Sequence, residues 1–208
     1  MNFEILWGFV LATASLAIFP GPDNIYVLTQ SIANGKKYGL ATTAGLISGC
    51  LVHTTLLAFG VSAIISLNPY LFFVIKLFGA LYLFYLAFRV WRSDAKISLE
   101  TTNKSKKTRW QLYRQGFLMN VLNPKVTIFF LAFFPGFLFS NFLSTTLQFY
   151  ILGMLFMVIS FLIFSAIAIM AGGISEYLQQ HPNAPVFLKW LQILVFTGIG
   201  LYLLLSYK

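Results

Sequence analysis

Three places in the chain hold residues that could do chemistry away from water. The first is Phe19-Pro20-Gly21-Pro22-Asp23-Asn24, inside an apolar run from Ile5 to Leu28. Proline has no N–H and cannot continue the helical bonding behind it. In hydrocarbon such freed backbone is tolerated only where it is buried in protein or faces a watery cavity. An acid at the same spot is a functional-site candidate by default. The second place is Asn120-Val121-Leu122-Asn123-Pro124-Lys125. Asparagine is a strong N-cap and proline is favoured at the first helical position. A helix is therefore expected to start at Asn123-Pro124, behind a separate short helix from Trp110 to Leu122, and Pro22 is read the same way. Helix N-termini carry partial positive charge and free N–H groups, which suit a carboxylate. Lys125 adds a full positive charge and Asp23 the opposite sign, so the two stretches could hold a zwitterion by both ends. The competing readings are a structural pair, or Lys125 snorkelling to the headgroups. The third place is His53, beside Thr54 and Thr55. Histidine titrates near neutral pH, so His53 and Asp23 are the candidates for a proton relay. The plainer reading of His53 is a hydrogen bond between helices.

The elements that must position these residues are membrane helices. The chain is 208 residues long, 59% hydrophobic and 9% charged, against roughly 25% charge in soluble domains. That composition implies an all-α polytopic membrane protein and excludes a separate soluble domain. Six spans are expected: Ile5–Leu28, Leu40–Leu67, Leu71–Trp91, Phe117–Phe139, Leu147–Ala171 and Val186–Leu205, each near the ~20 residues that a bilayer requires. Asn68-Pro69 should stop the second, Gly172-Gly173 should end the fifth, and Ile174–Pro185 reads as a polar loop. The first run has no basic flank or small-residue cleavage site, so it is expected to stay as a span. Gly45-Leu46-Ile47-Ser48-Gly49 is a spacing that allows close helix approach, within one chain or between two, and Gly79 is read as a further packing glycine.

The net charge is +9, but the basic residues cluster between spans, which argues for topology and anionic headgroups rather than nucleic acid. Lys36 and Lys37, the stretch Arg89 to Arg114, and Lys189 fall on one side; Lys76 reads as a snorkelling residue near the other. Basic loops stay in the cytoplasm, so both termini are expected in the periplasm. Cys50 is the one cysteine, which excludes an internal disulfide or CxxC pair. No HExxH, GxSxG or Walker A sequence occurs, so no enzyme activity, cofactor or metal is expected.

Phe19-Pro20-Gly21-Pro22 recurs as Phe134-Pro135-Gly136-Phe137, and Leu81-Tyr82-Leu83 as Leu201-Tyr202-Leu203. Their order suggests a 3+3 duplication, and an odd number of spans per copy requires the second to be inverted. The expected fold is one transmembrane domain over residues 1–208. Repeat one covers about 1–92, a cytoplasmic loop 93–109 and repeat two 110–208, and the first and fourth helices are broken.

The motif Pro20-Gly21-Pro22 at the end of the first run resembles the PGP signature of the LysE/RhtB family of amino-acid exporters. Asn120-x-x-Asn123-Pro124-Lys125 resembles that family's second signature. Gly45-x-x-x-Gly49-x-x-x-His53 and Lys76-x-x-Gly79-Ala80-x-Tyr82-Leu83 also look like family positions. The resemblance covers the whole chain and rests on four motifs in order. It implies a bacterial inner-membrane exporter of amino acids or their derivatives, driven by the proton motive force and forming homo-oligomers. Aspartate after PGP is one of several polar choices in the family, so the resemblance does not itself make Asp23 the proton carrier. The rival readings are an exporter of another solute such as a metal cation, a thiol-electron conduit, and a non-transporting membrane subunit. Sparse His and Cys count against the first and the single cysteine against the second.

Reporter fusions after Asn103 and Lys208 test the topology. The Asn103 fusion should report cytoplasm and the Lys208 fusion periplasm; a cytoplasmic Lys208 would overturn the six-span reading.

Overall fold

The computed structural model describes residues 2–63, 69–94, 107–181 and 183–205, without the side chains of Pro69, Phe72, Pro124 and Lys125. Most of the basic central loop, Asn68 and Lys208 lie outside the described residues, so the expectations placed on them have no structural counterpart.

Nine α-helices occur among the described residues, and no strand. In chain order they are α1 (Phe3–Ile18), α2 (Pro22–Asn34), α3 (Lys36–Leu56, prolonged by a π-helical turn Leu57–Val61), α4 (Pro69–Arg92), α5 (Arg109–Val121), α6 (Pro124–Phe133, prolonged by a 3-10 turn Phe134–Phe137), α7 (Thr145–Ile169), α8 (Ala171–Gln180) and α9 (Ala184–Leu205). Four stretches are long and apolar enough to cross a membrane: Lys36–Val61, Phe73–Arg92, Thr145–Ile169 and Ala184–Leu205. Two bent pairs, α1 with α2 and α5 with α6, bring the count to six; each bends by 54°. The chain is an all-helical polytopic membrane protein.

The helices run between two ends. Asn2 N–H donates to the Phe139 carbonyl at 2.8 Å, which puts the N-terminus beside the α6–α7 connection. Lys189 Nζ donates to the Ser93 carbonyl at 2.7 Å at the opposite end. That second end also carries Lys36, Lys37, Arg89, Arg92, Arg109 and Arg114, and is called the basic end below.

Helix α3 is the most enclosed, with half of its apolar window buried against 28% for α4, α7 and α9. Its glycines explain this. A Cβ at Gly45 would overlap the Tyr113 carbonyl of α5, and one at Gly49 would lie 2.7 Å from Asn120 Oδ1. In return, a Cβ at Gly116 would press on the Thr42 carbonyl of α3. Small residues on both helices let the backbones approach, and this contact lies within one chain. Tyr113 O–H donates to Ser48 Oγ at 3.1 Å across the same seam. Gly79 plays the equivalent part between α4 and α6, where a Cβ would lie 2.6 Å from the Ala132 carbonyl.

One sequence expectation is corrected. Residues Ile174–Pro185 are not simply a polar loop, because α8 occupies Ala171–Gln180. Polarity does not prevent a helix at an interface. Here side chains four apart support one another, with Gln180 Nε2 donating to Glu176 Oε1 at 3.1 Å. Accordingly Gly172-Gly173 does not end the fifth span, which stops at Ile169; the glycine pair sits in the first turn of α8. Phe134-Pro135-Gly136-Phe137 forms a 3-10 turn at the far end of α6, away from the break at Asn123-Pro124.

Gly45→Ala should cost on the order of 1–3 kcal/mol by overpacking the α3–α5 seam. Gly198→Ala should be tolerated, since nothing lies within 4 Å of its Cβ position. Thermal unfolding in detergent of the two variants checks the contrast; equal midpoints would show that the seam is not close-packed.

Candidate functional site

The first break follows from its prolines. Pro20 has no N–H for the Leu16 carbonyl, and Pro22 none for Ile18. A residue before proline is pushed out of the helical region, and here two such residues follow in close order. Phe19 (φ −66°, ψ 137°) and Gly21 (φ −139°, ψ 174°) are both extended. Helix α2 then starts with Pro22 in its first turn and Ile25 N–H bonded to the Gly21 carbonyl at 2.9 Å. Two neighbouring carbonyls at the end of α1 are met by one side chain. Asn24 Nδ2 donates to Ala17 O at 2.7 Å and to Phe19 O at 2.9 Å, tying α2 back to the end of α1.

The second break has the same logic with a donor from another helix. Helix α5 ends at Val121, and α6 begins at Pro124 with the Asn123 carbonyl accepting from Val126 N–H at 3.0 Å and Thr127 N–H at 3.2 Å. His53 of α3 lies beside the gap, 3% exposed. Its Nε2 is 3.0 Å from the Asn120 carbonyl, and its Nδ1 is 3.5 Å from Thr127 Oγ1. A carbonyl can only accept, so the proton sits on Nε2 and Nδ1 faces the Thr127 hydroxyl. His53 thus bridges the last turn of α5 to the first turn of α6.

The two breaks face one another across a cavity of about 140 Å³ in the middle of the bundle. That is about ten times the space one water needs. Gly21, Pro22, Asp23 and Asn24 line it from the first break, and Asn120 and Asn123 from the second. Pro20 and His53 do not line it; they shape and hold the breaks behind it. Of the lining residues, Asn120 and Ser160 each have a buried side-chain oxygen without a hydrogen-bond partner among the described residues, although neither atom opens onto the cavity. The N-termini of α2 and α6 both border the space, so their N–H groups and dipoles favour negative charge there. Asp23 supplies an acid on the same wall. The remaining lining is largely apolar, with Leu46, Ile47, Phe129 and Phe156 among it. Lys125 belongs to α6, but its side chain lies outside the described part, so no contact of it enters the site.

Ser160 of α7 and Gln192 of α9 also reach the cavity, both buried. Neither was among the expected site residues. The signal available was a polar residue inside an apolar run, but Gln148 and Ser165 in α7 and Lys189 and Thr197 in α9 carry the same signal. Glycine 49 contributes indirectly, by leaving room for the Asn120 side chain.

A family model for the LysE type translocator matches residues 14–207. The chain belongs to the LysE type translocator family. It is 29% identical over 179 residues to the homoserine/homoserine lactone efflux proteins of Salmonella typhimurium and Salmonella typhi, with 86% of each chain covered. It is also 29% identical over 174 residues to an uncharacterised membrane protein of Pseudomonas aeruginosa, with 79% of this chain and 81% of that one covered. No solved structure matches it. The chain is therefore a membrane translocator, and the cavity between its broken helices is the candidate place for a solute.

Asn24→Ala removes the donor to two carbonyls at the first break. A buried acceptor left unmade costs about 1–3 kcal/mol, so thermal unfolding in detergent should move down by a readily measured amount. Asn24→Asp should do no better, because a carboxylate cannot donate. An unchanged midpoint for both would show that the amide does not hold the break.

Proposed function

We propose that this chain exports amino acids or small amino-acid derivatives from the bacterial cytoplasm across the inner membrane, driven by the proton motive force. The observation that carries the reading is the central cavity. It joins two helix N-termini, an acid and the polar residues Asn120, Asn123, Ser160 and Gln192 in one mainly apolar space. A carboxylate is matched by helix N-termini, an ammonium by Asp23, and a short aliphatic side chain by the leucine and phenylalanine lining. Broken helices at a site in mid-membrane are a recurring way for secondary transporters to bind charged solutes. The relatives named for homoserine and homoserine lactone efflux make a small hydroxylated amino acid the first candidate substrate.

In this reading the substrate ammonium or a proton occupies Asp23, and exchange between the two couples export to the gradient. Pro22, Asn120, Asn123 and Pro124 shape or contact the carboxylate side, and Lys125 adds charge to the start of α6. His53 is the second candidate for the proton. Protonation of Nδ1 would turn the Thr127 contact from acceptor to donor at the second break. The two bent spans are the matching members of two inverted repeats, with the basic end in the cytoplasm and both termini in the periplasm.

The test is export by purified protein in vesicles with an imposed proton gradient, run over a panel of amino acids that includes homoserine. Hydrogen bonds to a charged group are worth about 1.5–3 kcal/mol, so Asp23→Asn should lower export by about tenfold or more while the protein still folds. Normal export by Asp23→Asn would remove the acid from the mechanism, and no export of any amino acid by the unmodified protein would overturn the reading itself.

A further inference from the structure

A second and larger cavity, about 800 Å³, lies at the end opposite the basic one. None of the residues lining it lines the central cavity. Its walls include Glu4 of α1, Lys76 of α4, Pro135 and Gly136 of the 3-10 turn, Asn141, and Gly198 of α9. Acid and base thus face one space, away from the site already described.

The two cavities are stacked along the same helices. On α4, Lys76 lines the terminal cavity and Leu86 the central one; on α7, Gln148 and Phe156 divide in the same way; on α6, Phe129 lines the central cavity and Pro135 the terminal one. The residues between are fully enclosed: Phe133 and Phe134 on α6, Phe149 and Leu152 on α7, and Leu83 on α4 are all at 0% exposure. Phe9 of α1, also at 0%, closes the layer. Its ring lies 5.3 Å from both Phe133 and Phe134, with the Phe134 ring nearly perpendicular. This is a dry partition of aromatic rings, in the spacing and orientation such rings favour.

The partition is carried by two half-helices. Phe9 sits on α1, before the first break, and Phe133 and Phe134 on α6, after the second. Both breaks bend the chain by 54° and lack continuous helical bonding. Each is thus a place where a half-helix can swing with little loss of backbone bonding, as hinges require. A swing of α1 against α6 would part Phe9 from Phe133 and Phe134 and join the two cavities.

We propose that the terminal cavity is a second, exit-side binding site for the same zwitterionic solute, and that Phe9, Phe133 and Phe134 form the gate between it and the central site. Glu4 attracts the ammonium and Lys76 the carboxylate of a solute that has passed the gate. This rests on the export reading for its direction and its solute. Because the site is wide, it encloses a small solute loosely and binding there is weak, which suits release.

The test uses thiol labelling, which requires no transport. Cys50 lines the central cavity and is the chain's one cysteine. In vesicles of known orientation, a membrane-impermeant thiol reagent added on the terminal face should leave Cys50 unlabelled in the unmodified protein and label it in Phe133→Ala. Phe9→Leu is the milder second variant, and folded protein in both is checked by size exclusion. In Cys50→Ala, Gly198→Cys should be labelled from that face. Millimolar homoserine should slow that reaction, and adding Lys76→Gln should abolish the protection. If Cys50 reacts with a membrane-permeant thiol reagent in both folded gate variants but stays unlabelled by the impermeant one from that face, the gate assignment fails. If Gly198→Cys is labelled but neither homoserine nor other amino acids protect it, the second site fails. Labelling of Gly198→Cys only from the cytoplasmic face would overturn the exit assignment through the orientation, leaving export by the central cavity intact.

Discussion

A backbone carbonyl without a donor is costly inside a membrane, and the organisation of this protein follows from where it accepts that problem. Two prolines and one Asn-Pro step interrupt the hydrogen bonding of two spans. At each interruption a side chain adds to the backbone bonding that remains. Asn24 reaches back across the first, from the helix that the break itself starts. His53 reaches into the second from a neighbouring helix. The first break is therefore tied by a residue of its own span, while the second is braced both by Asn123 N–H, 3.1 Å from the Asn120 carbonyl, and by His53 of α3, docked beside it.

That docking explains the glycines. For His53 to reach the Asn120 carbonyl, α3 and α5 must lie almost backbone to backbone, which Gly45, Gly49 and Gly116 allow. Gly49 does two things at once: it admits the close approach and leaves the volume in which the Asn120 side chain turns toward the cavity. Packing, backbone completion and solute chemistry thus meet within one turn of α3. The rest of the bundle is looser. Helices α4, α7 and α9 present most of their length outward, with large exposed apolar residues such as Phe78, Leu162 and Leu194, as lipid-facing surfaces do.

Much of this was legible in the sequence because proline and asparagine act locally. Pro20, Pro22 and Pro124 place the breaks without any knowledge of neighbours, and the short helix ahead of Asn123 follows from the same reasoning. What escaped was set by contacts between helices. Nothing in the chain order says that His53 completes a carbonyl at position 120, that Asn24 is a brace as well as a wall of the cavity, or that Ser160 and Gln192 reach the same space. Composition also misled at α8. A stretch poor in apolar residues reads as a loop, although its side chains pair four apart and its glycines sit where a first turn tolerates them. Phe134-Pro135-Gly136-Phe137 closes a helix, whereas Phe19-Pro20-Gly21-Pro22 splits one.

The unequal packing around the central cavity divides its walls by how freely they can change over evolutionary time. The wall made by α3 and α5 is held by glycines whose replacement meets backbone, and by a histidine committed to a carbonyl, so most substitutions there cost stability before they alter preference. The opposite wall, from α7 and α9, offers Phe156, Ser160, Gln192 and Phe196 on helices that face lipid behind. A change of side chain there alters the shape or polarity of the space while leaving both breaks braced. If the central cavity holds the solute, a change along that wall alters what fits there while the bracing of both breaks stays as it is.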